Sequence, residues 1–290
     1  VRYRVEHRTT YTYDDDVTDS LGIAYLVPRQ LPWQQVTDYR VAVTPTPGDT
    51  ASDEDFYGNH LTYFQVIEPH RELAIVGSGE VDVVAPLVDA RRLDQPWDAV
   101  LPLRQPGLPG AWLATDLVLP SPAVPTYPGA KEYAAHSLLP GRPVGEAVTD
   151  LMHRIHADFE YDATATTVTS TVPEILAKRA GVCQDFAHFT LSCLRSHGLA
   201  ARYVSGYLAT EPPPGKERVV GADASHAWAA VWLGDEEWLA FDPTNDQWQN
   251  DRYVTVAWGR DYGDVPPVKG VIFTEARHSK LDVSVDVAPL

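Results

Sequence analysis

The spacing of apolar residues along the chain changes twice, and this limits what it can fold into. From residue 1 to about 90, apolar and polar residues alternate in "YRVEHRTTYTY", "YRVAVTP" and "HLTYFQVIE". That is the period of strands with one buried face. Turn signals, "DDD", "TPTPGD", "YGN" and "GSGE", separate them. From about residue 130 the period is three to four. "AKEYAAHSLL", "VGEAVTDLMHRIHADF", "STVPEILAKRAG" and the stretch opening at Cys183 read as helices, with Gly181 stopping the third. After residue 200 the period is two again, in "ARYVSGYLA", "SHAWAAVWL", "EWLAFDP", "KGVIFTEAR" and "KLDVSVDVA". "LGDEE" is a tight turn between the second and third of these.

The expectation is an α+β protein in three parts. Residues 1–95 form an antiparallel β-sandwich, 96–128 a proline-rich connecting segment, and 129–290 a core of helices on an antiparallel sheet that keeps the C-terminal strands. The "GSG" run lacks the Lys-Ser/Thr and helix of a phosphate loop. Asp53, Glu54 and Asp55 read as an exposed acidic loop.

The chain has two cysteines, too few for a disulfide framework. On one helix, Cys183 and Cys193 would stand ~15 Å apart at ~1.5 Å per residue. A disulfide needs Cα atoms within ~7 Å. Metal-ligand spacing around them is also missing. His153 and His156, with Asp158, could form part of a metal hydrolase site, but no third element is evident on a facing strand. The two thiols differ in position. Cys193 is mid-helix between Leu191 and Leu194 and reads as core. Cys183 opens its helix, where free N–H groups and the macrodipole favour a thiolate and could hold an oxyanion.

A nucleophilic cysteine needs a base, and the base an orienting acceptor. Of the ten histidines, His226 starts a strand, within reach of a helix N-terminus. Asp242 ends the next strand, and antiparallel pairing would set it beside His226. Cys183, His226 and Asp242 are the candidate catalytic residues. Asp185 falls in the first helical turn, where a carboxylate caps. His188 and the "RDY" run at 260–262, read as an Arg–Asp loop clasp, look structural. The tryptophans 228, 232, 238 and 248 look like core or cleft wall.

"GVCQDFAHFTLSCLRSHGLAARYVSGYL", "ASHAWAAVWL" and "WLAFDPTND" resemble the Cys, His and Asp blocks of the bacterial transglutaminase-like superfamily, a papain-like group. "VEHRTTYTYDDDV", "LVPR", "DFYGN" and "EPHREL" resemble its β-rich N-terminal region, and "GRDYGDVPPVKGV" the segment after the Asp block. The resemblance implies a cysteine protease or acyltransferase with Cys183 as nucleophile, His226 as base then acid, and Asp242 as orienter. A thioester would form on attack at a peptide or carboxamide carbonyl. It also implies an oxyanion hole from the Cys183 N–H and one upstream donor, for which Tyr161 is a candidate. Hydrolysis is favoured over crosslinking, which must admit an amine and exclude water. The alternatives are an amine-accepting transglutaminase and a non-catalytic peptide-binding module.

No cofactor or metal is called for. The expected partner is a peptide or protein substrate, or a small amide. A net charge of −17 argues against nucleic acid and anionic membrane. No apolar run nears the ~18 residues of a membrane span and the N-terminus lacks a signal-peptide core, so a cytoplasmic protein is expected.

Overall fold

The computed structural model describes residues 1–165, 170–210 and 225–290. The chain opens with β1 (Arg2–Ala24), β2 (Gln34–Thr44), β3 (Asp49–Glu54), β4 (His60–Val66) and β5 (His70–Val83). β1 is 23 residues long, and its pairing with β5 slips between Thr12 and Val17. Beyond the slip, β1 takes β4 as its neighbour. The strand therefore bends, and the sheet curls over Tyr13, Val17, Leu26, Phe64, Leu73 and Ile75. One curled antiparallel sheet replaces the expected pair of stacked sheets.

The proline-rich stretch is a packed arm. It follows α1 (Ala90–Leu93) and contains a 3₁₀ turn at Trp97–Ala99 and α2 (Ala111–Asp116). Trp97, Val100, Leu101, Ala114 and Leu117 are buried. Prolines break the helical period there without removing the apolar residues that anchor the segment.

The helical region follows as α3 (Pro128–Ala135), α4 (Val144–Asp158), β6 (Glu160–Tyr161), α5 (Val172–Lys178), β7 (Ala180–Gly181) and α6 (Cys183–Arg195). α6 is buried on all sides from Asp185 onward, as suits a central helix. Its polar side chains are satisfied internally: Thr190 Oγ1 donates to the Phe186 carbonyl, Ser192 Oγ to that of Pro125, and Arg195 to those of Ala201 and Arg260.

Next come β8 (Ala201–Leu208), β9 (Ser225–Gly234), β10 (Glu237–Asp242), β11 (Gln247–Trp248) and β12 (Tyr253–Gly259), a sheet ordered β11-β10-β9-β8-β12. The β9–β10 hairpin turns through Asp235 and Glu236, both at positive φ, as a tight hairpin turn requires. Two buried amides satisfy edge strand β12. Gln34 exchanges two hydrogen bonds with the Thr255 backbone, and Asn59 two with that of Trp258. Each side chain does the work of a neighbouring strand.

The final strands, β13 (Val268–Thr274) and β14 (Ser279–Pro289), depart from expectation. They pair with β1, not with the second sheet. Alternation marks them as strands but carries no information on the partner, which lies at the other end of the chain. Val285 and Val287 join Tyr3, Val5, Val81 and Val83 in a core that runs without a break into Phe186, Phe189 and Leu191 of α6. The two sheets thus share one interior.

Val287→Asp puts an unpaired carboxylate into that shared core. It is expected to cost about 3–5 kcal/mol, read as a lower midpoint of a single urea transition. An unchanged midpoint would mean that β14 is not docked.

Candidate active site

Cys183 is delivered by a tight local arrangement. β7 pairs in parallel with β6, setting Tyr161 opposite Gly181. The chain then turns into α6 at Val182, whose backbone N–H donates to Asp185 Oδ2 at 2.8 Å. A Cβ on Gly181 would lie 2.6 Å from that same carboxylate oxygen. Gly181 therefore serves close approach, and α5 instead ends at Arg179, which takes the left-handed position (φ 52°). Asp185 is a cap, as expected, and it fixes where the helix starts.

His226 opens β9 opposite Gly206. A Cβ there would meet the Val254 carbonyl oxygen at 2.1 Å and the Trp228 ring at 2.7 Å, so only glycine lets the strands and the indole close up. The imidazole Nε2 is 2.7 Å from Asp242 Oδ2. The ring and the Cys183 thiol line the same cavity. The His226 side chain is 10% exposed and that of Asp242 is 0% exposed.

The surroundings hold this pair in its charged form. Besides His226, Asp242 accepts from Asn245 Nδ2 (2.7 Å) and the Tyr253 hydroxyl (2.7 Å) at Oδ2, and from the Thr244 and Asn245 N–H groups at Oδ1. Burial alone would raise its pKa, but the hydrogen bonds and the His226 charge overcome this and lower it. Burial likewise opposes charge on His226. The bonds to Asp242 and Cys183 outweigh it and push the imidazole up to about 10. Trp228 lies nearly parallel to the ring, with centroids 6.0 Å apart at 26°. Cys193 is fully buried, and burial pushes its thiol well up.

The three residues expected to act together are brought together, and two that were not foreseen support them. Asn245 lies inside the "FDPTND" turn, so its position three residues after Asp242 could have suggested a cap. Nothing in the sequence around Tyr253 points to the site. Tyr161 is 59% exposed. It pairs opposite Gly181, two residues before Cys183, and burial, then the charge of Cys183, raise its pKa.

A cavity of about 250 Å³ opens onto Cys183, Gln184 and His226. Its far wall comes from the first sheet: His7 and Thr9 of β1, with Leu281 and Val283 of β14. No Asp, Glu, Lys or Arg is among the described residues that line it. Burial pushes His7 down to about 4, so it is neutral there. No local pattern foretells that the N-terminal strand and the C-terminal strand meet at this cavity.

Residues 3–82 match the bacterial transglutaminase-like N-terminal region, and residues 132–243 match the transglutaminase-like superfamily. An uncharacterized protein of Mycobacterium tuberculosis is 49% identical over 295 residues, covering 99% of this chain and 93% of that one. The chain belongs to the transglutaminase-like superfamily. A crystal structure of a Cytophaga hutchinsonii protein, provisionally described as a cysteine protease, has the same fold, with a TM-score of 0.73 at 17% identity over 99% of this chain and 97% of that one. A 67-residue stretch, 23% of this chain, is 37% identical to part of a Pseudomonas aeruginosa protein-glutamine gamma-glutamyltransferase, of which it covers 10%.

Other residues singled out in this transglutaminase-like chain lie elsewhere. His153 Nδ1 meets Asp246 Oδ1 (2.5 Å) and His156 Nδ1 meets the Thr244 carbonyl (3.0 Å), so both hold the turn that follows Asp242. Asp158 instead accepts from Tyr133 and Arg179. His188 is buried and its Nε2 accepts from the Tyr262 N–H. Arg260 pairs with Asp264, not with the neighbouring Asp261 as expected. Asp261 accepts backbone N–H groups of Ala123 and Gly263. Trp228 and Trp232 are fully buried.

Because the His226 pKa is raised, its ion pair contributes stability that is complete below the ordinary histidine value of 6.5 and is lost as pH rises through about 10. An NMR titration of the ring protons should find His226 charged at pH 8 and titrating near 10. Asp242→Asn should bring the midpoint down by more than one unit. A wild-type midpoint at or below 6.5 would remove the ion pair from the site.

Proposed function

We propose that the protein is a cysteine hydrolase acting on peptide or carboxamide bonds, with Cys183 as nucleophile, His226 as acid and base, and Asp242 as the group that orients and charges His226. The observation that carries this reading is the buried His226 imidazole, hydrogen-bonded to a saturated buried carboxylate and lining the same cavity as a thiol at a helix N-terminus. A structural histidine does not need that combination.

The Cys183 thiolate attacks the carbonyl carbon and the oxygen takes the negative charge. The Cys183 backbone N–H is one donor for this oxyanion, with Tyr161 as the second. The C–N bond breaks as His226 gives its proton to the departing amine, leaving a thioester. Neutral His226 then takes a proton from water, the hydroxyl adds to the thioester, and the carboxylic acid leaves as the thiolate re-forms. If an amine replaces water, the same steps yield a new amide. The stretch shared with the Pseudomonas aeruginosa glutamyltransferase favours that second reading. The cavity beside Cys183 is open to solvent, which favours hydrolysis.

Iodoacetamide should label Cys183, while buried Cys193 stays unmodified. Cys183→Ala should lower turnover of a peptide-amide library by at least about 10³-fold, and Asp242→Asn by about 10²–10⁴-fold. Undiminished turnover by Cys183→Ala would end the catalytic reading. Adding a primary amine to the trapped acyl-enzyme separates the two outcomes. Capture of product by the amine in preference to water would make the protein a transferase.

A further inference from the structure

The second sheet has another concavity, on the side away from α6, that shares none of the described residues lining the Cys183 cavity. At its centre is Arg202 of β8, 7% exposed. Its guanidinium lies over the Trp238 ring (4.2 Å to the centroid) and over the Trp258 ring (3.7 Å). Arg29 also lies 3.7 Å from the Trp258 centroid, which places the two cations on opposite faces of one indole. Arg29 has a partner in Asn59 Oδ1 and feels the charges of Asp55 and Glu54. Arg202 has neither a hydrogen bond nor an ion pair among the described residues, and its Nε is orphaned. Burial, and then repulsion from Arg29, hold its pKa well down. No acid among the described residues forms an ion pair with this guanidinium, although Glu236 and Glu237 line the same concavity and Glu237 Oε2 is itself a buried atom without a partner.

Two hollows of about 40 and 740 Å³ lie beside the guanidinium, both also lined by Trp33 and Trp258. Trp33 carries a second orphaned donor, its indole Nε1. The rest of the larger hollow is apolar, from Pro32, Val84, Pro86, Leu87 and Val88, with Glu236 and Glu237 on one side. Leu87 is 98% exposed.

We propose that this concavity is a binding site for an organic monocarboxylate with an apolar or aromatic body, held by the Arg202 guanidinium and the Trp33 indole N–H. A planar guanidinium clamped between rings is preorganised for a carboxylate, and an uncompensated buried cation makes the anion's arrival favourable. The two glutamates oppose a dianion such as phosphate. The apolar lining supplies the rest of the affinity.

The site is tested by calorimetric titration of the intact protein with N-acetyl-phenylalanine and N-acetyl-leucine and with the amide of each. Tryptophan fluorescence reports from Trp33, Trp238 and Trp258. The acids should bind saturably and at least tenfold tighter than the amides, with inorganic phosphate weaker than either acid. Arg202→Met should abolish the difference between acid and amide, and iodoacetamide labelling of Cys183 should be unchanged. Equal binding of acid and amide, no saturable binding of either acid, phosphate binding as tight as the acids, or an Arg202→Met variant that still prefers acid would each overturn the proposal. If Arg202→Met does not fold, the contrast between acid and amide in the native protein decides alone.

Discussion

A carboxylate with no exposed surface is the constraint around which the site is arranged. Left alone in an apolar interior, Asp242 would take up a proton and become neutral, because burial penalises charge heavily. The neighbours prevent this. Donors from Asn245, Tyr253 and the backbone of the following turn converge on its two oxygens, and the imidazole of His226 completes the set. Once the carboxylate is held ionised, the charge on His226 follows, since an imidazolium beside it costs less than a neutral ring. The turn that supplies these donors is itself held from outside by His153 and His156 of α4. The electrostatics at Cys183 therefore begin two elements away, on a helix that never touches the thiol pocket.

The first sheet has a second use besides covering the core. Its inner face changes character along β1: Tyr3 and Val5 belong to the shared hydrophobic interior, whereas His7 and Thr9 face the cavity. Strand alternation allows this, because residues two apart share a face. β14 runs alongside β1 and does the same, with Val285 and Val287 in the core and Leu281 and Val283 at the cavity. A single pair of strands thus anchors the sheet and shapes the pocket. No Asp, Glu, Lys or Arg is among the described residues of the pocket wall, in a protein of net charge −17.

Local signals in the sequence revealed the parts of this arrangement that local physics determines. A small-residue turn before Cys183, a strand beginning at His226 and a strand ending at Asp242 each leave a mark within a few residues, and hairpin pairing links the last two. The hidden parts are those decided by contacts far apart in sequence. Alternation identified β13 and β14 as strands, but hydrogen-bonding edges are alike, and only packing selects β1 over β12 as the partner. The bend that turns one long strand into a curled sheet depends on a register slip near residues 12–17, which polarity patterns do not encode. Tyr253 reaches Asp242 from a strand at the far edge of the sheet, and no spacing rule would have found it.

The register of the second sheet accounts for the contrast between its faces. Tyr203, Ser205 and Tyr207 pair with Ala229, Ala227 and Ser225, while Arg202, Val204 and Gly206 pair with Ala230, Trp228 and His226. Cross-strand partners share a face. The first set includes Ala227, Ala229, Tyr203 and Tyr207, which join the shared core with α6. The second carries Trp228, Tyr253 and, beside them, Trp238 and Trp258. Among the described residues, none from a helix lines the hollows at Arg202 on this second face. Large rings therefore take the place of a covering helix, and they stack on whatever planar group the strand presents. At one end that group is the His226 imidazole beside Trp228, and four residues along β8 it is the Arg202 guanidinium between two indoles. The rigidity that a catalytic imidazole needs and the clamping of an unpaired cation arise from the same aromatic layer. A strand slip of one residue would exchange the two faces and lose both.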